Sequence, residues 1–260
     1  MRAPTDYLLH LADNAVVLGQ RDAEWCGHGP ILEEDLALAN VSLDLIGQAR
    51  LLYQLAAKRM GGGATEDTLA YFRDDTEFRN YTLLELPNHA ALVGYAKTDM
   101  DYATTIVRNF LYSALMVLVW DALQSSADED LAAIAAKSIK ETRYHLHHSA
   151  DWVVKFGDGT EESHRRAQAA FDHLLPYTEE FWVASAAEQQ AVANATGVDV
   201  AGLRTQWETI VKQTLDQATL AMPTTKGHLP EGKNGRHSEH LSYRLGEMQS
   251  LARAHPGATW

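Results

Sequence analysis

The sequence predicts an all-α fold built on four long helices, with further helices towards the C-terminus. Three observations carry this. The seven prolines leave residues 31–86 and 88–175 without one, and proline breaks helix interiors by removing a donor and crowding the preceding turn. Glycine is absent from 95 to 156. No alternating apolar–polar run bounded by hairpin residues occurs, so no strand is expected.

The first helix is predicted over 5–24, where Leu8, Leu11, Ala15 and Leu18 recur at three- and four-residue spacing. The second covers 31–60. Pro30 suits its first turn, and Glu33, Glu34 and Asp35 complement the positive end of the helix dipole. Leu36, Ala39, Leu43, Ile46 and Tyr53 define its expected core face, and Gly61-Gly62-Gly63 ends it. About 30 residues at about 1.5 Å each span roughly 45 Å, a bundle length. The third and fourth long helices are predicted at 102–125 and 127–156. Ser126 with Glu129 forms a capping box for the fourth, and Gly157-Asp158-Gly159 stops it. Ser185 with Glu188 caps a short helix. Another fits 200–221, where Leu203, Trp207, Ile210, Val211 and Leu215 share a face. Residues 223–236 (PTTKGHLPEGKNGR) read as a loop, and a last helix runs from about 238 to 254. Two long pairs joined by a crossover at 87–101 describe a ferritin-like four-helix bundle. The chain reads as one such domain over 1–260, with accessory helices over about 160–260.

Composition narrows the function classes. The 260 residues carry 22 Lys+Arg against 35 Asp+Glu, a formal net charge of −13. A nucleic-acid binder needs a basic face, so that partner is excluded. The single cysteine, Cys26, rules out an intrachain disulfide and a cysteine-based zinc site, and suits a reducing cytoplasm. It is expected to be buried. Asp6, His10 and Asp13 interrupt any signal-peptide-like run before Gly19. The longest apolar stretch, between Asn109 and Asp121, falls short of the ~20 residues a bilayer requires. A cytoplasmic chain without a membrane partner is expected, its five helical tryptophans Trp25, Trp120, Trp152, Trp182 and Trp207 lying in the core or an interface.

Bundles of this type often hold two metals between a Glu-x-x-His motif on each of two helices and single glutamates on the others. No Glu-x-x-His lies on the second helix. On the fourth, the residue three after Glu141 is Tyr144, and His145 stands one place late. Two polar pairs at four-residue spacing remain, Asp44 with Gln48 and Glu141 with His145, and each pair shares one helix face. The first helix offers Gln20 or Glu24, and the third has no carboxylate between Asp101 and Asp121. Asp44, Gln48, Glu141, Tyr144 and His145 are therefore expected to form a polar network in place of a metal site. An acid among them is expected to lean on Arg50, Arg143 or His145, since an unpaired buried charge costs several kcal/mol. His147 is expected in solvent. His237-Ser238-Glu239-His240 lacks the one-turn histidine spacing of a zinc protease and is expected to serve capping and surface contacts.

Several strings carry a resemblance. Glu24-Trp25-Cys26-Gly27-His28, Asp35-Leu36-Ala37-Leu38-Ala39-Asn40, Leu43-Asp44-Leu45-Ile46-Gly47-Gln48-Ala49-Arg50 and Lys140-Glu141-Thr142-Arg143-Tyr144-His145-Leu146 resemble the C-subunit family of ring-1,2-phenylacetyl-CoA epoxidases. His237-Ser238-Glu239-His240-Leu241, Gly246-Glu247-Met248-Gln249, Pro256-Gly257 and Trp260 extend the likeness nearly end to end. Residues 89–101 depart from it, looking longer than the usual connection. The resemblance implies a multicomponent monooxygenase of bacterial phenylacetate degradation. Its A subunit holds the di-iron centre and adds oxygen across the ring of phenylacetyl-CoA, and NADPH delivers electrons through a separate reductase. The C subunit is a structural, non-catalytic bundle holding the A subunit in an active assembly. The resemblance thus implies no catalytic residue, metal or cofactor in this chain, and a hetero-oligomer with the A subunit and other subunits. A chain at −13 does not attract polyanionic coenzyme A globally. Arg165, Arg166, Lys233 and Arg236 are candidate local contacts to its phosphates or to a partner. Two readings stay open beside this one: a free-standing di-metal oxidase, and a helical scaffold of another complex.

Overall fold

The computed structural model describes residues 1–89, 100–224 and 229–258. Ten α-helices follow in order there: α1 (Thr5–Ala23), α2 (Leu32–Met60), α3 (Glu66–Tyr71), α4 (Thr82–Glu85), α5 (Tyr102–Leu123), α6 (Glu129–Gly157), α7 (Glu161–Leu174), α8 (Ala186–Ala193), α9 (Arg204–Gln217) and α10 (Glu239–Ala254). Among the described residues the only β features are two isolated bridges, His89 with Met100 and Glu231 with Arg236. The all-α expectation holds.

Helices α1 and α2 form one antiparallel pair and α5 with α6 the other, with α2 against α6. At Gly19 of α1, an added Cβ would lie 3.3 Å from Leu45, Ile46 and the Ser42 carbonyl oxygen. The missing side chain lets α2 approach, and Ser42 Oγ donates to the Gly19 carbonyl at 2.7 Å. Asp22 of α1 meets Asn109 of α5 and Trp25 meets Thr105, so these helices are also antiparallel. Helices α2 and α5 therefore point the same way, and the chain between them must recross the bundle, as in ferritin-like connectivity. The described part of that connection climbs α1. Arg79 N–H donates to Asp13, Tyr81 N–H to Asn14, and Arg21 to the Glu85 carbonyl. The recrossing is thus complete by Asn88, earlier than the expected 87–101, of which 90–99 lie outside the described residues.

Other boundaries differ for local reasons. The N-cap of α6 is Asp128, whose carboxylate accepts from Leu131 N–H at 3.4 Å, from Ala3 N–H at 2.6 Å and from both ends of the Arg59 guanidinium. Ser126 instead donates to the Thr196 carbonyl. The Ser185–Glu188 box does cap α8. Along α2 the buried face is Leu38, Val41, Leu45, Ala49, Leu52 and Ala56, whereas Leu36 and Leu43 are 56% and 66% exposed. The helix carries two apolar stripes; one is buried in the core, and of the other Ile46 reaches the Gly19 notch while Leu36 and Leu43 stay exposed.

Helix α5 is long and apolar enough to cross a membrane, longer than the 109–121 stretch alone suggested, but 78% of its most apolar window is buried in the protein. Trp25, Trp120, Trp182 and Trp207 are buried and Trp152 half-buried against the core. Cys26 is exposed, contrary to expectation, because it sits in the turn after α1.

Candidate functional site

The α2–α6 seam brings the two predicted pairs together. Asp44 and Gln48, one turn apart on α2, meet His145 and Glu141, one turn apart on antiparallel α6. His145 Nε2 lies 3.1 Å from Asp44 Oδ2, and Gln48 Nε2 donates to Glu141 Oε2 at 3.0 Å. His145 and Gln48 are buried, while Asp44 reaches the surface. Tyr144 is half-exposed, its ring stacked on His148, and His147 is exposed. Further along the seam, Glu34 accepts from Tyr102 OH at 2.5 Å and contacts His148 Nε2 at 2.8 Å. Burial, and then this bond to Glu34, push the Tyr102 hydroxyl well above the ordinary phenol range.

Asp44 and Glu141 each meet one partner across the seam, and Glu34 meets two, Tyr102 and His148. Among the described residues no three His, Cys, Asp or Glu side chains converge as a metal site would require. Gln48 is neutral, Tyr144 is half-exposed, and α5 has no carboxylate before Asp121, its buried Arg108 and Asn109 meeting Leu86, Asn88 and Asp22 instead. The residues present do not fit a di-metal centre, which in this architecture combines a glutamate from each of two helices with two Glu-x-x-His motifs. The seam can bind α2 to α6, but among the described residues it offers no cluster of ligands. Replacing Glu141 with Ala strands one buried amide donor of Gln48, so we expect a loss of about 1 kcal/mol in chemical denaturation.

A second polar network escaped the sequence reading. Asp22 is fully buried, and both its oxygens accept from Asn109 Nδ2, at 3.1 and 3.2 Å. Burial pushes its carboxyl up to about 7, against the pull of Arg108 and Asn109. Arg108, also fully buried, donates to the Leu86 carbonyl at 2.7 Å and to Asn88 Oδ1, and burial lowers its pKa to about 10. Glu24, weighed as a ligand from the first helix, instead takes Arg21, Arg244 and Asn88. The signal was present as charged or amide residues inside otherwise apolar helices, Asp13 and Asp22 in α1 and Arg108-Asn109 in α5.

The basic candidates are ion-paired. Arg165 binds Glu162 at 2.8 Å, Arg166 binds Asp101 at 3.0 Å and Arg236 binds Glu231 at 2.7 Å. Lys233 corrects the surface expectation. It is 4% exposed, its Nζ lies 2.9 Å from Glu188 and 5.3 Å from the centre of the Tyr81 ring. The His237 side chain is likewise buried, with Nδ1 2.9 Å from Glu85 and Nε2 3.0 Å from the Phe78 carbonyl, instead of making surface contacts. Capping falls to Ser238, whose Oγ accepts from His240 N–H.

Comparison with known proteins agrees with this architecture. The family model described as "Phenylacetic acid catabolic protein" matches residues 1–260. A curated relative, the C subunit of the 1,2-phenylacetyl-CoA epoxidase of Escherichia coli (strain K12), is 42% identical over 260 residues, covering 100% of both chains. With a full-length match to the model and an all-helical bundle of the expected connectivity, the chain belongs to the phenylacetic acid catabolic protein family.

Proposed function

We propose that the chain is the non-catalytic, structural member of a multicomponent monooxygenase that epoxidises the ring of phenylacetyl-CoA, and that it holds the catalytic A subunit in an active assembly. The observation that carries this reading is the chemistry of the seam: Asp44 with His145 and Gln48 with Glu141 are closed polar pairs. The name of the E. coli relative supports the choice of complex. In this reading the di-iron centre belongs to the A subunit and NADPH to a separate reductase, and the chain works in the cytoplasm. A structural component contributes area instead of chemistry, and obligate interfaces bury about 2,000–5,000 Å² with apolar centres.

Co-expression with the A subunit, followed by sizing, elemental analysis and NADPH-dependent turnover, tests it. The chain alone should carry no stoichiometric iron or manganese, should co-elute with the A subunit, and should raise turnover only in that complex. Near-stoichiometric metal with oxidase activity in the isolated chain would establish the free-standing oxidase instead. Failure to associate with the A subunit would favour a scaffold of another complex.

A further inference from the structure

Among the described residues the outward face of α2 has no partner except at its end, where Ile46 lies beside Gly19 of α1. Leu32, Leu36, Ala39, Leu43 and Ile46 recur at spacings of four, three, four and three residues. Leu32, Leu36 and Leu43 are 72%, 56% and 66% exposed, and Ala39 and Ile46 are half-buried. That alternation is the 3.5-residue period with which one helix offers knobs to another. Over 14 residues it makes a seam roughly 21 Å long. It runs opposite the stripe of Leu38, Val41, Leu45 and Leu52 that already serves the bundle core.

Gly47 lies on the same outward side. It is exposed in the middle of a 29-residue helix, and a Cβ added to it would meet nothing within 4 Å. A mid-helix glycine weakens a helix relative to alanine, and nothing among the described residues needs its missing side chain. Close approach of a backbone from another molecule does. On α2 the rim of the seam is also of one sign as far as Ala49, before the exposed Arg50. From Leu32 to Ala49 the helix carries Glu33, Glu34, Asp35 and Asp44 and no Lys or Arg. Of these only Glu34 is buried.

We infer that this face is a docking surface for one long helix of the catalytic A subunit. That helix would have apolar residues in heptad register, a basic rim to complement Glu33, Asp35 and Asp44, and a backbone passing close over Gly47. The heptad period specifies a helical occupant, the acidic rim its charge, and the open glycine its nearest point of approach. The inference rests on the reading of the chain as a component of that epoxidase.

The test uses the full chain co-expressed with the A subunit, comparing wild type with Leu36→Glu/Leu43→Glu, Gly47→Ala and a control, Val192→Glu, at an exposed position of α8. Both leucines face solvent in the isolated chain, so the double variant should keep the wild-type melting temperature and circular dichroism. Its affinity for the A subunit should fall at least about a hundredfold, as expected for two central apolar anchors. The Gly47→Ala chain should melt about 2–4 °C higher alone yet bind the A subunit more weakly, a combination that a purely intrachain role does not produce. The control should bind as wild type does.

Undiminished binding by the double variant, with wild type binding tightly, would overturn the inference and leave the structural-component reading standing. A wild-type chain that dimerises alone, and a double variant that does not, would assign the face to a second copy and also overturn it. A wild type that shows no binding to the A subunit would remove the structural-component reading, and the inference with it.

Discussion

Asp13→Ala is expected to destabilise the protein by about 3–5 kcal/mol, the range for removing one partner of a buried ion pair. Asp13 is fully buried on α1. It accepts from Tyr53 OH of α2 at 2.5 Å and from Arg79 N–H at 2.8 Å, and it pairs with both ends of the Arg73 guanidinium. Arg73 in turn donates to the Leu69 and Glu77 carbonyls and lies over the Phe78 ring, 4.3 Å from its centre. One carboxylate therefore ties α1 to α2 and to the recrossing segment. Without it the guanidinium stays buried with no counter-charge, and two further donors lose their acceptor. Denaturant titration reads the effect as a lowered midpoint. A loss under about 1 kcal/mol would show that the network is not holding the recrossing segment.

Lys233→Ala should act as strongly, because it strands a carboxylate. Glu188 and Lys233 are each 2% exposed at the side chain, and the next basic group, His10, whose pKa burial lowers, stands 3.8 Å away. The segment around Lys233 is seated by further contacts. Lys233 N–H donates to Glu180, which also takes Thr82 N–H, and a Cβ at Gly232 would come within 2.6 Å of the Asn80 carbonyl oxygen. Burial raises the Glu188 pKa, but His10, Lys233 and the Ser185 N–H outweigh it and hold the group below 4.5. A folded pKa below the unfolded one adds stability that is present above about pH 4.5 and is lost as pH falls through the folded value. The gap between wild type and Lys233→Ala should thus be about 3–5 kcal/mol at pH 7 and should narrow as pH falls below 4.5. Melting temperatures across pH 3 to 8 check it, and a gap constant over that range would remove the ion pair as its cause.

How far each feature was legible follows from the range of the interaction behind it. The long helices appeared within a few residues because proline, glycine and apolar period act locally. The Ser185–Glu188 box was readable for the same reason, its partners being three residues apart. The Asp44–His145 contact was half-legible, since four-residue spacing places two groups on one face but does not say what that face meets. Ser126 lost its predicted role to Asp128, which Arg59 of α2 and the Ala3 N–H hold from far along the chain. Lys233 and His237 looked like surface residues in a polar loop. Their burial depends on Glu188 and Glu85, 45 and 152 residues away in sequence.

By itself the sequence determined that the chain is all-helical, how long its bundle helices are, and that the Glu-x-x-His pattern is broken. These follow from composition and from periodicities shorter than a few turns. Only the tertiary structure decided which of two apolar stripes on α2 enters the core, where the chain recrosses the bundle, and which charges are buried in pairs. A periodic stripe is equally apolar whichever way it faces. What lets α2 pack closely on α1 is a notch at Gly19, which Ser42, Leu45 and Ile46 meet, and what places the recrossing segment is a carboxylate at Asp13 that binds Arg73 and Arg79. Such choices belong to pairs of distant residues, and no local pattern encodes them.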